Sequence, residues 1–161
     1  NMFLAPATAC LAVAIYTKIE MLKQYWLPIA VGCTAGSAAS MLSVYGLCRL
    51  FGLDGSLTVS LLPKSVTTPI AVSIAEPAGG MVPITVVAVI GTGILGSIIA
   101  PFLIRLFRVT DPVAAGLAIG ASSHAVGTSK AIELGEVEGA MSGLAIGICG
   151  IITVLISMAV L

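Results

Sequence analysis

Long apolar runs separated by short polar breaks organise the chain. Residues 27–48, 82–104 and 139–161 contain no Asp, Glu, Lys or Arg. Each reaches the roughly 20 residues needed to cross a bilayer's hydrocarbon core. Residues 2–17 form a fourth apolar stretch, and the chain starts inside it without an initiator Met. A chain lacking N-terminal helices is therefore expected. The pattern predicts helices over 2–17, 27–50, 82–107 and 139–161, a loop at 18–26, and polar turns at 51–55 and 108–112. No low-complexity linker or second soluble domain interrupts it, so residues 1–161 read as one transmembrane domain.

Two segments, roughly 56–78 and 113–137, do not fit the run pattern. Each is polar in the middle, contains Gly or Pro, and follows an apolar stretch ending in Arg-Leu-Phe (Arg49 to Phe51, Arg105 to Phe107). Aligned from Lys64 and His124 without a gap, they share Val66/Val126, Thr68/Thr128, Ala71/Ala131, Glu76/Glu136, Gly79/Gly139 and Met81/Met141. Repeat one thus covers about 27–81 and repeat two about 82–141. Paired interrupted segments in two halves of a membrane protein point to a transporter's binding site. The predicted fold is an all-α integral membrane protein with two internally repeated, interrupted helical segments, re-entrant or broken.

Charge bears on their geometry. Unpaired backbone and charge are costly against lipid, so the segments must be covered by protein or line water. If both return to the face they came from, Lys18, Lys23, Arg105 and Arg108 share one face and Arg49 stands opposite. If both cross, the cations are divided between the faces. The positive-inside rule prefers the first arrangement, which makes the repeats inverted. Two crossing, centrally unwound helices are the rival geometry.

Composition agrees with the membrane reading and narrows the chemistry. The chain is 58% hydrophobic and 9% charged with zero net charge, against about 25% charged residues in soluble domains. No basic surface invites nucleic acid. Cys10, Cys33, Cys48 and Cys149 lie scattered in apolar runs without metal-ligand spacing, and read as small core residues. The lone His has no second His or Cys at ligand spacing, so no metal or cofactor is expected. Gly32/Gly36 and Gly143/Gly147 have small-xxx-small spacing, and Gly91, Gly93, Gly96 and Ser97 line a third such stretch. Tight packing within the chain is the favoured reading, with a homo-oligomer as the alternative.

The breaks hold the candidate site. Lys64 adjoins hydroxyls at Ser65, Thr67 and Thr68, and Pro69 disfavours a helix continuing through. A half-helix starting here would direct free N–H groups and a positive dipole end at a pocket. A cation, hydroxyls and a helix N-terminus suit a carboxylate. The competing reading is a lysine reaching for the interface beside ordinary caps. In the second break His124 is flanked by Ser122, Ser123, Gly127, Thr128 and Lys130. Its ordinary pKa near ~6.5 suits proton coupling, and a structural histidine is the alternative. Gly127 permits close backbone approach. Glu133 stands three residues beyond Lys130, within reach of a local ion pair. No nucleophile elbow or triad spacing supports an enzyme.

Residues 61–71, Leu-Leu-Pro-Lys-Ser-Val-Thr-Thr-Pro-Ile-Ala, resemble the signature of the LrgB/CidB family. So do residues 116–131, Gly-Leu-Ala-Ile-Gly-Ala-Ser-Ser-His-Ala-Val-Gly-Thr-Ser-Lys-Ala, with 138–145 and 6–12 extending the likeness over the chain. Two positions depart from the family pattern. Ala14-Ile15-Tyr16 stands where Pro usually precedes Leu-Tyr, and Lys130 replaces an arginine, keeping the charge but losing the guanidinium fork. The resemblance implies a bacterial plasma-membrane protein, with the plastid inner envelope as alternative. It also implies a small LrgA/CidA-type holin-like partner. Two function classes follow from it. One is a secondary carrier of small 2-oxo or 2-hydroxy monocarboxylates such as pyruvate, glycolate or glycerate. In that case Lys64, assisted by Lys130, neutralises the carboxylate, the hydroxyls read the 2-oxygen, and His124 couples protons. The other is a holin-associated regulator of murein hydrolase export and autolysis.

Overall fold

The computed structural model describes residue 16 and residues 19–160. Among these, every regular element is a helix: α1 (Ile19–Gln24), α2 (Trp26–Leu50), α3 (Gly55–Leu61), α4 (Thr68–Ala75), α5 (Val82–Leu106), α6 (Pro112–Leu134) and α7 (Glu136–Val160). The helix predicted over 2–17 falls almost wholly outside the described residues, as do Cys10 and Lys18. The stretch expected as a loop at 18–26 contains α1.

Three helices, α2, α5 and α7, are long and apolar enough to cross a membrane. At 1.5 Å per residue a 25-residue helix spans about 37 Å, more than the roughly 30 Å hydrocarbon core. Their outer faces expose Leu42, Val87, Ile98, Phe102, Leu155 and Met158. Apolar exposure on this scale is unusual for a soluble monomer and suits contact with lipid.

Both long helices that precede a break end in the same way. After α2 the N–H of Leu53 bonds the carbonyl of Cys48 at 2.9 Å, and after α5 the N–H of Val109 bonds that of Ile104 at 2.9 Å. Gly52 (φ 66) and Arg108 (φ 51) take the left-handed position in these turns. Each next helix is then capped by an aspartate. Asp54 Oδ1 accepts from the N–H of Leu57 at 2.7 Å, and Asp111 Oδ1 from that of Val113 at 2.8 Å.

The first interrupted segment doubles back. Its two limbs are α3 and α4, joined by a tip at 62–67. Ser56 Oγ donates to the carbonyl of Gly79 at 2.8 Å, which brings the two ends of the segment together. Ser60 is fully buried; its hydroxyl donates to the carbonyl of Ser56 and accepts from the N–H of Met81 at 2.7 Å.

The second segment doubles back as well, within α6. His124 breaks the helix there (φ 42, ψ −141). On the limb before it, Gly116 lies against Glu138 and Met141, and Gly120 against Ser142 and Ala145. On the limb after it, Thr128 Oγ1 lies 2.7 Å from Ser142 Oγ and Ile132 packs on Gly139. Both limbs therefore lie along the first half of α7, which requires a reversal at His124. A Cβ at Gly116 or Gly120 would stand 2.4 Å from the carbonyl oxygen of Glu138 or Ser142, so only glycine allows this approach.

The core lies between α2, the first limb of α6 and α7, where Ile29, Cys33, Leu117, Met141, Leu144 and Cys149 pack together. A second cluster, Met41, Val44, Cys48 and Leu62, joins α2 to the first hairpin. Cys33, Cys48 and Cys149 are buried free thiols. The small-residue spacings are used unevenly. Gly36 meets Ala121, and Gly93 and Gly96 make room for His124 and Ser123, whereas Gly91 and Gly143 face open space.

Candidate functional site

Both hairpin tips sit near the mid-length of the spanning helices. The first reaches Ser40 of α2, where Ser65 Oγ lies 2.7 Å from Ser40 Oγ. The second reaches Val89 of α5, whose carbonyl lies 2.9 Å from His124 Nε2. The returning limbs, α4 and the part of α6 after His124, both begin at these tips. The positive ends of two short helix dipoles are thus directed at the middle of the molecule.

A cleft of about 1170 Å³ runs between α2 and the first limb of α6. One end lies at Tyr25, Asp111 and Val137, the other at Ser40, Ser43, Lys64, Ser65 and Ser122. Elements from both hairpins line its inner end, Lys64 and Ser65 from the first and Ala121 and Ser122 from the second. Lys64 Nζ donates to Ser65 Oγ at 3.2 Å. Among the described residues the one ion pair is Lys130 with Glu133, so no carboxylate balances Lys64. A cation at membrane depth without a protein counter-ion lines water or takes an anion. The cleft wall is otherwise mostly apolar (Pro28, Gly32, Leu117, Ala118, Ala121), which suits a small organic anion held by a few polar groups.

The sequence-derived candidates divide among several places. Lys64 and Ser65 stand in the cleft. Thr67, Thr68 and Pro69 open α4, and the Thr67 hydroxyl is buried without a partner among the described residues. Ser123 is buried against Gly96, with its Oγ 3.0 Å from that of Ser122. His124 points to α5 rather than to the cleft. A carbonyl can only accept, so Nε2 carries the proton it shares with Val89. Gly127 packs against Ser123 and Ile119, letting the two limbs of α6 touch. Thr128 Oγ1 donates to the His124 carbonyl at 2.9 Å and reaches Ser142. Lys130 pairs with Glu133 in a separate groove of about 750 Å³, with Ser97, Ile98 and Ser129. The structure therefore does not bring Lys130 or His124 into the cleft that holds Lys64.

Ser40, Ser43 and Asp111 line the cleft without having been singled out, and Ser122, noted only as a neighbour of His124, joins them. A signal for Ser40 was present: it continues the Gly32, Gly36 spacing by one more helical step, marking the same face of α2.

Comparison with known proteins places the chain. Residues 1–161 match the LrgB-like family. An antiholin-like protein LrgB of Bacillus mycoides (strain KBAB4) is 38% identical over 156 residues, covering 97% of this chain and 68% of the relative. The antiholin-like protein LrgB of Bacillus cereus (strain B4264) and that of Bacillus anthracis (strain CDC 684 / NRRL 3495) match with the same identity and coverage. No solved structure matches. With a fold carrying three helices of membrane-crossing length and a match along its whole length, the chain belongs to the LrgB-like family.

Proposed function

We propose that this protein is an antiholin-like component of a bacterial cell membrane, opposing autolysis together with a small holin-like membrane partner. The likeness to proteins named antiholin-like, over nearly the whole chain, carries this reading. The long apolar face left exposed on α5 supports it by offering helix surface to lipid or to a membrane partner. The test is co-isolation of the full-length protein with a holin-like protein from the same membrane, together with the lysis rate of a deletion strain. Association and faster lysis on deletion are expected; unchanged lysis without the protein would contradict the reading.

A second reading is favoured by the uncompensated Lys64 in a mid-depth cleft. In it the protein is a secondary carrier of small 2-oxo or 2-hydroxy monocarboxylates, and its effect on lysis follows from acid and proton balance. Lys64 neutralises the carboxylate, while Ser40, Ser43, Ser65 and Ser122 offer hydroxyls around it. The two broken hairpins, reached from opposite ends of the spanning helices, are inverted repeats in this reading, and the cleft is their shared site. Lys23, Arg105 and Arg108 lie toward its Tyr25–Asp111 end and Arg49 toward the other, so the cleft faces the cytoplasm. Proteoliposomes of the full-length protein offered labelled pyruvate, glycolate and glycerate, with a trapped dye, separate carrier from pore. Saturable uptake with the dye retained supports the carrier, and dye loss or absent uptake contradicts it.

A further inference from the structure

The cleft does not end cleanly at Lys64. Ser40, Ser65 and Ala121 line both the cleft and a narrow seam behind it, between α2, α7 and the first hairpin. The seam passes Ser37, Met41, Leu62, Cys149 and Thr153. On α7, Cys149, Thr153 and Ser157 recur every fourth residue, so one buried face is small and largely polar from mid-length toward the far end. Beyond Thr153 the seam is closed by the cluster of Met41, Val44, Cys48 and Leu62.

Among the described residues three buried side-chain hydroxyls lack an oxygen or nitrogen partner: Ser37 Oγ, which has only the weakly hydrogen-bonding Cys149 sulfur beside it, Thr67 Oγ1 and Ser157 Oγ. Ser37 is 3% exposed and lines the seam. Ser157 is 4% exposed, one helical turn past Thr153. Thr67 follows Val66, which also lines the seam. Ser37 thus lies along the seam and Ser157 beside its far end, away from the cleft's Tyr25–Asp111 end. A buried hydroxyl left unpaired is costly and uncommon, and calls for a state or ligand that satisfies it.

We propose that this seam is the closed half of a transport route, by which a small hydrophilic anion held at Lys64 reaches the face opposite the cleft. It rests on the carrier reading. In the open state Ser37, Thr153 and Ser157 are wetted, and the Ser40–Ser65 hydrogen bond that crosses the passage gives way. The closed state leaves the Ser37 and Ser157 hydroxyls unpaired, which narrows the energy gap between the two states and so favours alternation.

Site-directed labelling of the reconstituted full-length protein, with its native cysteines replaced, tests this. Ser37→Cys, Thr153→Cys and Ser157→Cys each face a small membrane-impermeant thiosulfonate added on one side at a time. Ala118→Cys in the cleft and Thr85→Cys, buried off the seam, are the references. Ala118→Cys is expected to label from the cleft side and Thr85→Cys from neither. The three seam positions are expected to label from the opposite side, with loss of pyruvate uptake once labelled. If Ser37→Cys does not fold, Thr153→Cys and Ser157→Cys carry the test. Seam cysteines that stay unlabelled, or label only from the cleft side, in protein that takes up pyruvate would overturn the route. Seam labelling in protein that takes up no acid would overturn the carrier reading and the route with it, leaving only a seam that opens.

Discussion

Arg108 holds a backbone conformation, φ 51, that the matching turn of the first half gives to Gly52 at φ 66. Side chains crowd the backbone there, at a cost of about 1 kcal/mol for most L-residues. Arg108→Gly should therefore raise the thermal midpoint in detergent, by the equivalent of about 1 kcal/mol; an unchanged or lower midpoint would show that the arginine side chain offsets the strain. His124 is strained in the same sense but is also bonded to Val89. At this scale the sequence was informative where chemistry and break coincide. Lys64 and His124 align, and both lie at reversals of the chain. It was silent on direction. Whether His124 looks into the cleft or at α5 depends on which face of a short limb meets which neighbour, and Gly93 makes the room on α5. Ser40 was overlooked because a hydroxyl in an apolar run commonly bonds its own helix; its partner Ser65 is distant in sequence.

The two hairpins are fastened by different means. The first is tied by side-chain hydrogen bonds, above all the Ser60 hydroxyl bridging Ser56 and Met81. Ser60→Ala would leave the N–H of Met81 without that acceptor, a loss of about 1 kcal/mol. Limited proteolysis at 76–80 should become faster, and protection equal to wild type would remove Ser60 from this role. The second hairpin is held by backbone proximity to α7. Gly120→Ala drives a methyl into the Ser142 carbonyl and should cost about 1–3 kcal/mol, whereas Gly143→Ala, facing open space, should leave the thermal midpoint nearly unchanged. Equal effects would show that the close approach is not the source of stability. The three long helices were legible from uncharged runs, because lipid imposes length and apolarity on any span. Both breaks were legible from Gly, Pro and polar residues. The close contacts of Gly116 and Gly120 were not, since their spacing matters only once the chain has reversed at His124.

Across the whole molecule, three long helices enclose two hairpins whose tips come to mid-depth, and one cation without a counter-ion stands where elements of both meet. This arrangement suits a small guarded anion site better than a wide pore, because few polar side chains line the cleft and, apart from Tyr25 and Asp111 at its other end, they gather around Lys64. It is compatible with an antiholin-like role if the cleft is the working part through which the protein acts on its membrane. The most direct measurement is the lysis rate of a bacterium deleted for its own family member and supplied with the full-length protein, wild type or Lys64→Ala, at matched membrane levels. Wild type is expected to slow lysis and Lys64→Ala is not, although both insert. Equal slowing by the two would contradict this, since the protein would then work without the cleft.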